Sequence, residues 1–167
     1  MKDFILVTVA ACFLGAAWFF FLKGGDSGSQ TQPVAYNHKK HIDLGLECGF
    51  CHTGIAEGKP RAGLPPLEIC ASCHSGEDEN PRTQVVREYV SKGEPIPWRR
   101  IYTVPKHVYF SHLRHAGLAK LDCALCHGDM PRTEKPVTKP AVAISMDRCI
   151  DCHKQRGVTQ DCLACHR

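Results

Sequence analysis

The chain has few of the large aromatic side chains that build a hydrophobic core, and none of the familiar catalytic motifs. Only 8% of its 167 residues are aromatic, and it has just two tryptophans and three methionines. It has no glycine-rich phosphate-binding loop and no serine nucleophile in a recognisable setting, and its carboxylates are scattered. A domain of this size and composition builds only a modest core from its own side chains. The sequence therefore predicts no catalytic residue.

Cysteine, in contrast, is abundant, and ten of the eleven cysteines fall in five C-x-x-C-H motifs. On a helical turn, residues i, i+3 and i+4 share a face, so two thiols can bond one haem while the histidine reaches its iron. Single C-x-x-C pairs also occur in zinc and redox sites, but fivefold repetition favours five covalently attached c-type haems over zinc or disulfides. The motif residues are Cys48, Cys51 and His52; Cys70, Cys73 and His74; Cys123, Cys126 and His127; Cys149, Cys152 and His153; Cys162, Cys165 and His166.

Five histidines remain outside the motifs, one for each predicted iron. A neutral imidazole is a good axial ligand, so we predict bis-histidine ligation of all five haems. The alternatives are that some of these histidines are surface residues, or that Met130 or Met146 supplies a sixth ligand. Because two protein ligands leave no open position for a substrate, saturated coordination predicts electron transfer. The five histidines are His38, His41, His107, His112 and His115.

One long apolar run, residues 4–22, stands at the N-terminus. Its nineteen residues would span roughly 28 Å as a helix, enough for the hydrocarbon core of a bilayer. We predict a single-pass anchor in membrane lipid, with a cleaved signal peptide or a lipidated Cys12 as alternatives. Because haem attachment occurs outside the cytoplasmic membrane, the haem domain is expected on the periplasmic or outer face of that membrane.

The remainder of the chain contains an internal duplication. Tyr36-Asn37-His38-Lys39-Lys40-His41 is followed after six residues by the first motif. Phe110-Ser111-His112-Leu113-Arg114-His115 is followed after seven residues by the third motif. We therefore divide the chain into an N-terminal transmembrane anchor (1–23), a flexible linker (24–33), a dihaem module (34–80), a connecting helix and loop (81–106) and a trihaem module (107–167). The dihaem and trihaem modules are called the first and second module below.

The expected fold is mostly irregular, with short α-helices wrapped around five haems in a dihaem and a trihaem module. Five macrocycles in about 134 residues must lie close together and supply most of the apolar filling. Between the modules, a helix is predicted from residue 81 to Lys92, because Asn80-Pro81 is a starting signal and Gly93 is an ending signal. Its apolar face, which includes Val86 and Tyr89, is expected to pack on the haem domain.

The formal charge of +4 does not point to a nucleic-acid partner. Each ferric bis-histidine haem with two ionised propionates contributes about −1, which brings the holoprotein to about −1. Arg99 and Arg100 are candidates to pair with haem propionates or to contact a partner protein.

The H-x-x-H step before C-x-x-C-H, followed by closely spaced further motifs, resembles the class III cytochromes c over most of residues 34–167. The stretch from Pro95-Ile96-Pro97-Trp98 to Ser111-His112, with five haem motifs and one anchor, is similar to the pentahaem subunit of alternative complex III. That family is a quinol-oxidising membrane assembly. The resemblance implies an electron-transferring subunit with integral-membrane and peripheral partner subunits, delivering electrons to a downstream cytochrome c or terminal acceptor.

The resemblance also implies how the irons are ligated. In class III modules the first histidine of H-x-x-H ligates the first haem, and the second histidine ligates the next haem. The implied pair His107–His166 departs from the pattern of the smaller class III proteins, in which the remaining ligand lies between later haem motifs. The implied pairs are His38–His52, His41–His74, His112–His127, His115–His153 and His107–His166.

Two other functions stay open from the sequence. A multihaem reductase of nitrogen or sulfur oxyanions would need one haem with an open coordination position. A stand-alone quinol dehydrogenase would need a quinone pocket built from one anchor helix and the haem domain. All five motifs keep their histidine, and one helix offers little wall for a pocket, so both functions are less favoured than electron transfer.

Overall fold

The computed structural model describes residues 31–55, 59, 61–76 and 80–166. The predicted membrane anchor, including the lipid contact of residues 4–22 and Cys12, lies outside the described residues, as does the linker up to residue 30. Within the described ranges, no helix combines the length and apolar character needed to cross a membrane. What the structure describes is a set of short helices joined by irregular loops, as the sequence predicts.

Each C-x-x-C-H motif lies on a short helix, because the motif closes one helical turn. In the first, third and fifth motifs the histidine amide donates to the carbonyl of the first cysteine, at 2.9 Å in each case. One antiparallel bridge joins Val108 to His166. The helices are α1 (His38–Asp43), α2 (Cys48–Cys51), α3 (Leu67–His74), α4 (Gln84–Lys92), a π-helical turn (Leu113–Leu118), α5 (Ala124–His127), a 3₁₀ turn (Met130–Arg132), α6 (Met146–Gln155) and α7 (Cys162–Cys165).

The connecting helix α4 begins later than the sequence predicts but ends where predicted. The predicted start at residue 81 is wrong by three residues, because Asn80 forms a turn of its own. Its side-chain oxygen accepts from the Arg82 amide at 3.0 Å, and its carbonyl accepts from the Thr83 amide at 3.1 Å. Such side-chain bonds compete with the first helical turn. At the other end, Gly93 adopts a φ of 66° and closes the helix in the left-handed conformation.

The π-helical turn absorbs the one residue by which the two halves of the duplication differ. Gly45, with a φ of 84°, lies three residues before the first motif, and Lys120, with a φ of 52°, lies three residues before the third. The extra residue therefore falls before Lys120. There the Ala119 amide donates to the Arg114 carbonyl, five residues back, at 3.1 Å. This bonding fits one more residue into the turn than an α-helix does. The backbone therefore enters the first and the third motif in the same way, three positions after a residue with positive φ.

The core built from side chains is small and sits where α4 packs on α3. Of the described residues, only Val34, Val86 and Ile96 are buried hydrophobics, and none has a fully buried side chain. Large apolar side chains inside the haem motifs are instead exposed, such as Leu163 at 77% and Phe50 at 50%. The predicted packing of α4 on the domain is confirmed, and the exposed motif residues leave apolar surface for macrocycles to cover.

Candidate functional site

The structure brings together the histidines that the resemblance pairs. A metal–imidazole bond of about 2 Å, with the ring centre about 1 Å behind the nitrogen, puts two imidazoles on opposite sides of one metal about 6 Å apart, centroid to centroid. Four of the five pairs have spacings close to this value. The distances are 6.4 Å for His41–His74, 6.3 Å for His112–His127, 6.1 Å for His115–His153 and 5.5 Å for His107–His166.

In the fifth pair, His52 is close enough to His38 to lower the pKa of the His38 imidazole. Burial, followed by the neighbouring imidazoles of His52 and His41, lowers the pKa of His38 to about 4. Burial also lowers the pKa of His127, and His112 and His52 lower it further. Both shifts favour the neutral imidazole, which is the form that ligates a metal.

Hydrogen bonds at Nδ1 fix which ring nitrogen is left to ligate. Four of the paired histidines contact a backbone carbonyl through Nδ1. A carbonyl only accepts, so each of these Nδ1 atoms carries the proton and Nε2 keeps its lone pair. The contacts run from His41 to Asn37 (2.8 Å), His115 to Ser111 (2.9 Å), His52 to Gly63 (3.1 Å) and His153 to Thr159 (2.6 Å).

An aromatic ring two residues upstream supports each H-x-x-H step. Tyr36 meets His38 edge to face at 4.7 Å and stacks on His41 at 4.5 Å between centroids. Phe110 repeats both contacts in the second module, at 4.8 and 4.6 Å. Such ring pairs contribute about 0.5–1.5 kcal/mol beyond their buried area. Sequence reasoning missed this role, although the duplicated position of the two rings was a signal that could have revealed it.

Two further contacts to the paired histidines come from distant parts of the chain. Thr133 Oγ1 lies 3.2 Å from His38 Nδ1. Tyr102 packs edge-on against the His127 ring at 4.4 Å, and its hydroxyl donates to the His127 carbonyl at 3.3 Å. The same hydroxyl accepts from the Ala141 amide at 2.9 Å, so Tyr102 fastens the later loop beside the third motif. No motif in the sequence marks either residue.

Thiols of different motifs approach one another. Burial is the main cause that raises the pKa of the Cys70, Cys123 and Cys149 thiols, and a thiol of another motif raises each of them further. None of the ten motif cysteines is in a disulfide, and each is exposed or half-buried, so all ten are accessible to haem attachment. The neighbouring thiols are Cys51 with Cys70, Cys48 with Cys123, Cys126 with Cys149 and Cys149 with Cys165.

The described residues fit covalently attached haem better than zinc. A structural zinc site needs four ligands in one place, and the described part of the chain contains no group of three or more His, Cys, Asp or Glu placed to hold a metal ion. Arg87 Nε is buried with no hydrogen-bond partner among the described residues, in a side chain that lines a cavity with His74. A haem propionate would supply the missing acceptor. Arg99 and Arg100, the candidates from sequence, are both exposed.

Two family descriptions match consecutive parts of the chain. Residues 22–96 match the class III cytochrome c family, and residues 108–167 match cytochrome c7 and related cytochromes c. The chain belongs to the multihaem cytochromes c of class III type, and it is an electron-transfer protein with covalently attached c-type haem. More particularly, it is 32% identical over 165 residues to the menaquinone reductase, multiheme cytochrome c subunit, of Nitratidesulfovibrio vulgaris (strain Hildenborough). The match covers 83% of this chain and 78% of that relative.

Proposed function

We propose that the chain conducts electrons through five bis-histidine haem sites, as a subunit of a quinone-linked redox complex. The observation that carries the proposal is the spacing of the imidazole pairs, 5.5 to 6.4 Å between ring centroids in four of them. Bound haem iron supplies reversible one-electron chemistry. Because the chain offers two imidazoles to each iron, no position is left for a substrate, which favours electron transfer over the oxyanion-reductase alternative.

The neighbouring thiols support an order for the five sites. Named by their motif histidines, the sites follow one another as His74, His52, His127, His153 and His166, with the contact between Cys48 and Cys123 joining the two modules. Helix α1 agrees with this order, because it carries both His41, the partner of His74, and His38, the partner of His52. The series therefore has two ends, one beside α4 and one at the last motif.

The first test is the count and spin state of the haems. The intact mass should exceed the polypeptide mass by five haem units, and electron paramagnetic resonance of the oxidised protein should detect low-spin ferric haem alone. Two imidazoles per iron give a strong ligand field, which is the reason for the low-spin state. A stoichiometric high-spin haem would favour the reductase alternative, and four haems or fewer in matured protein would remove one site from the proposal.

The direction of electron flow has two candidates. The resemblance to alternative complex III suggests flow out of quinol towards a cytochrome or oxidase. The relative is named a menaquinone reductase, which suggests flow into menaquinone. We favour menaquinone reduction, because the 32% identity extends over 83% of the chain. In the purified complex, a reduced cytochrome c should then reduce these haems and a menaquinone analogue should reoxidise them. Haem reduction by menaquinol, followed by oxidation by ferric cytochrome c, would reverse the assignment.

The membrane attachment and the partner subunits belong to the same proposal. Residues 4–22 would anchor the chain, with the haem domain on the outer face of the cytoplasmic membrane. The integral-membrane and peripheral subunits would hold the quinone site, since one helix gives little wall for a pocket. Purification in mild detergent, followed by mass spectrometry of the co-purifying subunits, identifies the parent complex. A lone chain that oxidises menaquinol unaided would instead support the quinol dehydrogenase alternative.

A further inference from the structure

Thr133 joins the two modules at a predicted haem ligand. It follows the 3₁₀ turn of the second module and lies 95 positions along the chain from His38 in the first module. Its Oγ1 is 3.2 Å from His38 Nδ1, and its backbone carbonyl accepts from the Lys39 amide at 3.0 Å. The 3₁₀ turn and α1 pack together around these two bonds. Both bonds are therefore part of an interface between the modules.

The shorter of two contacts made by the Thr133 hydroxyl sets the direction of the Thr133–His38 hydrogen bond. Thr133 Oγ1 also lies 2.8 Å from the carbonyl oxygen of Met130, and that oxygen can only accept. The hydroxyl proton therefore goes to Met130, and a lone pair of Oγ1 faces His38. His38 must then donate from Nδ1, which leaves Nε2 unprotonated and able to ligate iron.

His38 differs in this respect from the second histidine of each H-x-x-H step. His41 and His115 donate to carbonyls four residues back in their own turn, so local structure alone sets their tautomer. For His38 the acceptor is the side chain of a residue from the other module. The tautomer of His38 therefore depends on the two modules being packed together.

We propose that Thr133 is a positioning residue for the haem site of His38 and His52, acting across the module interface. The inference rests on the proposed function, because it takes His38 as a haem ligand. A histidine that donates from Nδ1 is more basic at Nε2 and stabilises the ferric state, so the acceptor lowers the reduction potential of its haem. The site also adjoins the Cys48–Cys123 contact, so one threonine orients a ligand at the place where the modules meet.

The test compares Thr133→Val with Thr133→Ser in the haem-loaded full chain. Thr133→Val keeps the shape of the side chain and the backbone carbonyl that holds Lys39, but it removes the acceptor. We expect one of the redox steps to move to higher potential and one low-spin resonance signal to shift, with haem content unchanged. A tenfold weaker preference for the ferric state corresponds to about 59 mV. Thr133→Ser keeps the hydroxyl and should leave both readouts unchanged.

A matched control is Thr138→Val, since Thr138 is half-buried in the same loop but Thr133 is the residue that contacts His38 Nδ1. It should behave as the parent protein. If Thr133→Val does not mature, Thr133→Ala removes the same acceptor and must give the same shift. Potentials and resonance signals that stay unchanged in the variant lacking the hydroxyl would overturn the inference.

His38→Ala distinguishes failure of this inference from failure of the proposed function. One high-spin haem in His38→Ala, together with no effect of Thr133→Val, rejects the positioning role and keeps His38 as a ligand. A His38→Ala variant with low-spin haem alone rejects His38 as a ligand, and the role of Thr133 falls with it. A high-spin haem in His38→Ala together with a potential shift in Thr133→Val supports both His38 as a ligand and Thr133 as its positioning residue.

Discussion

Chain produced without haem attachment should lose its tertiary fold. The expected result is a near-ultraviolet circular dichroism spectrum without fixed aromatic signals and backbone amides that exchange with solvent within seconds. Three buried hydrophobic side chains in the described domain offset only a small part of the entropy lost when a chain of this size is ordered. The matured holoprotein under the same conditions is the control. A haem-free chain that retains slow amide exchange throughout would contradict the expectation.

The same reasoning predicts a graded outcome when single sites are removed. Replacing Cys162 and Cys165 by alanine removes the last site of the proposed series, so amide protection should fall mainly around α7 and its bridge to Val108. Replacing Cys48 and Cys51 removes the site at the contact between the modules, so protection should fall in both modules. Equal loss in the two variants would argue against the proposed order of sites.

Much of the candidate site follows from the sequence because its rules are local. A C-x-x-C-H motif closes one helical turn, and an H-x-x-H step places two rings on one short helix. These rules hold in α1, which carries both rings of the first H-x-x-H step, and in α3, which carries the second motif. The pairing of His41 with His74, whose ring centroids lie 6.4 Å apart, follows from the family resemblance instead. The extra residue in the second copy was also visible in the sequence, although its accommodation in a π-helical turn was not predicted.

What the sequence does not reveal depends on contacts between distant segments. The hydroxyl of Thr133 meets His38 only because the 3₁₀ turn packs on α1. Tyr102 reaches His127 across 25 positions of chain. Threonine and tyrosine occur in many settings, so nothing in their local pattern assigns these roles. The late start of α4 has a local cause, but propensity alone does not decide between the Asn80 turn and a first helical turn.

Replacing His107 by alanine should convert one of the five haems to the high-spin state while all five stay attached. His107 lies outside the H-x-x-H step, yet its ring centroid is 5.5 Å from that of His166. The backbone, not the side chain, holds this region in place, because Val108 bridges His166 and the Tyr109 amide donates to the Cys165 carbonyl at 2.8 Å. The substitution therefore removes a ligand and leaves the local fold intact.

The measurement is electron paramagnetic resonance of the oxidised variant together with its intact mass, and Lys106→Ala is the matched control at the neighbouring exposed position. Added imidazole should refill the open position and return the spectrum to low spin, which a general loss of structure would not allow. Because this site is an end of the proposed series, reduction of the other four haems should proceed as in the parent protein.

An unchanged spectrum would exclude His107 as a ligand. Met130 or Met146 would then be the leading sixth ligand, and one haem should have a markedly higher potential than the rest.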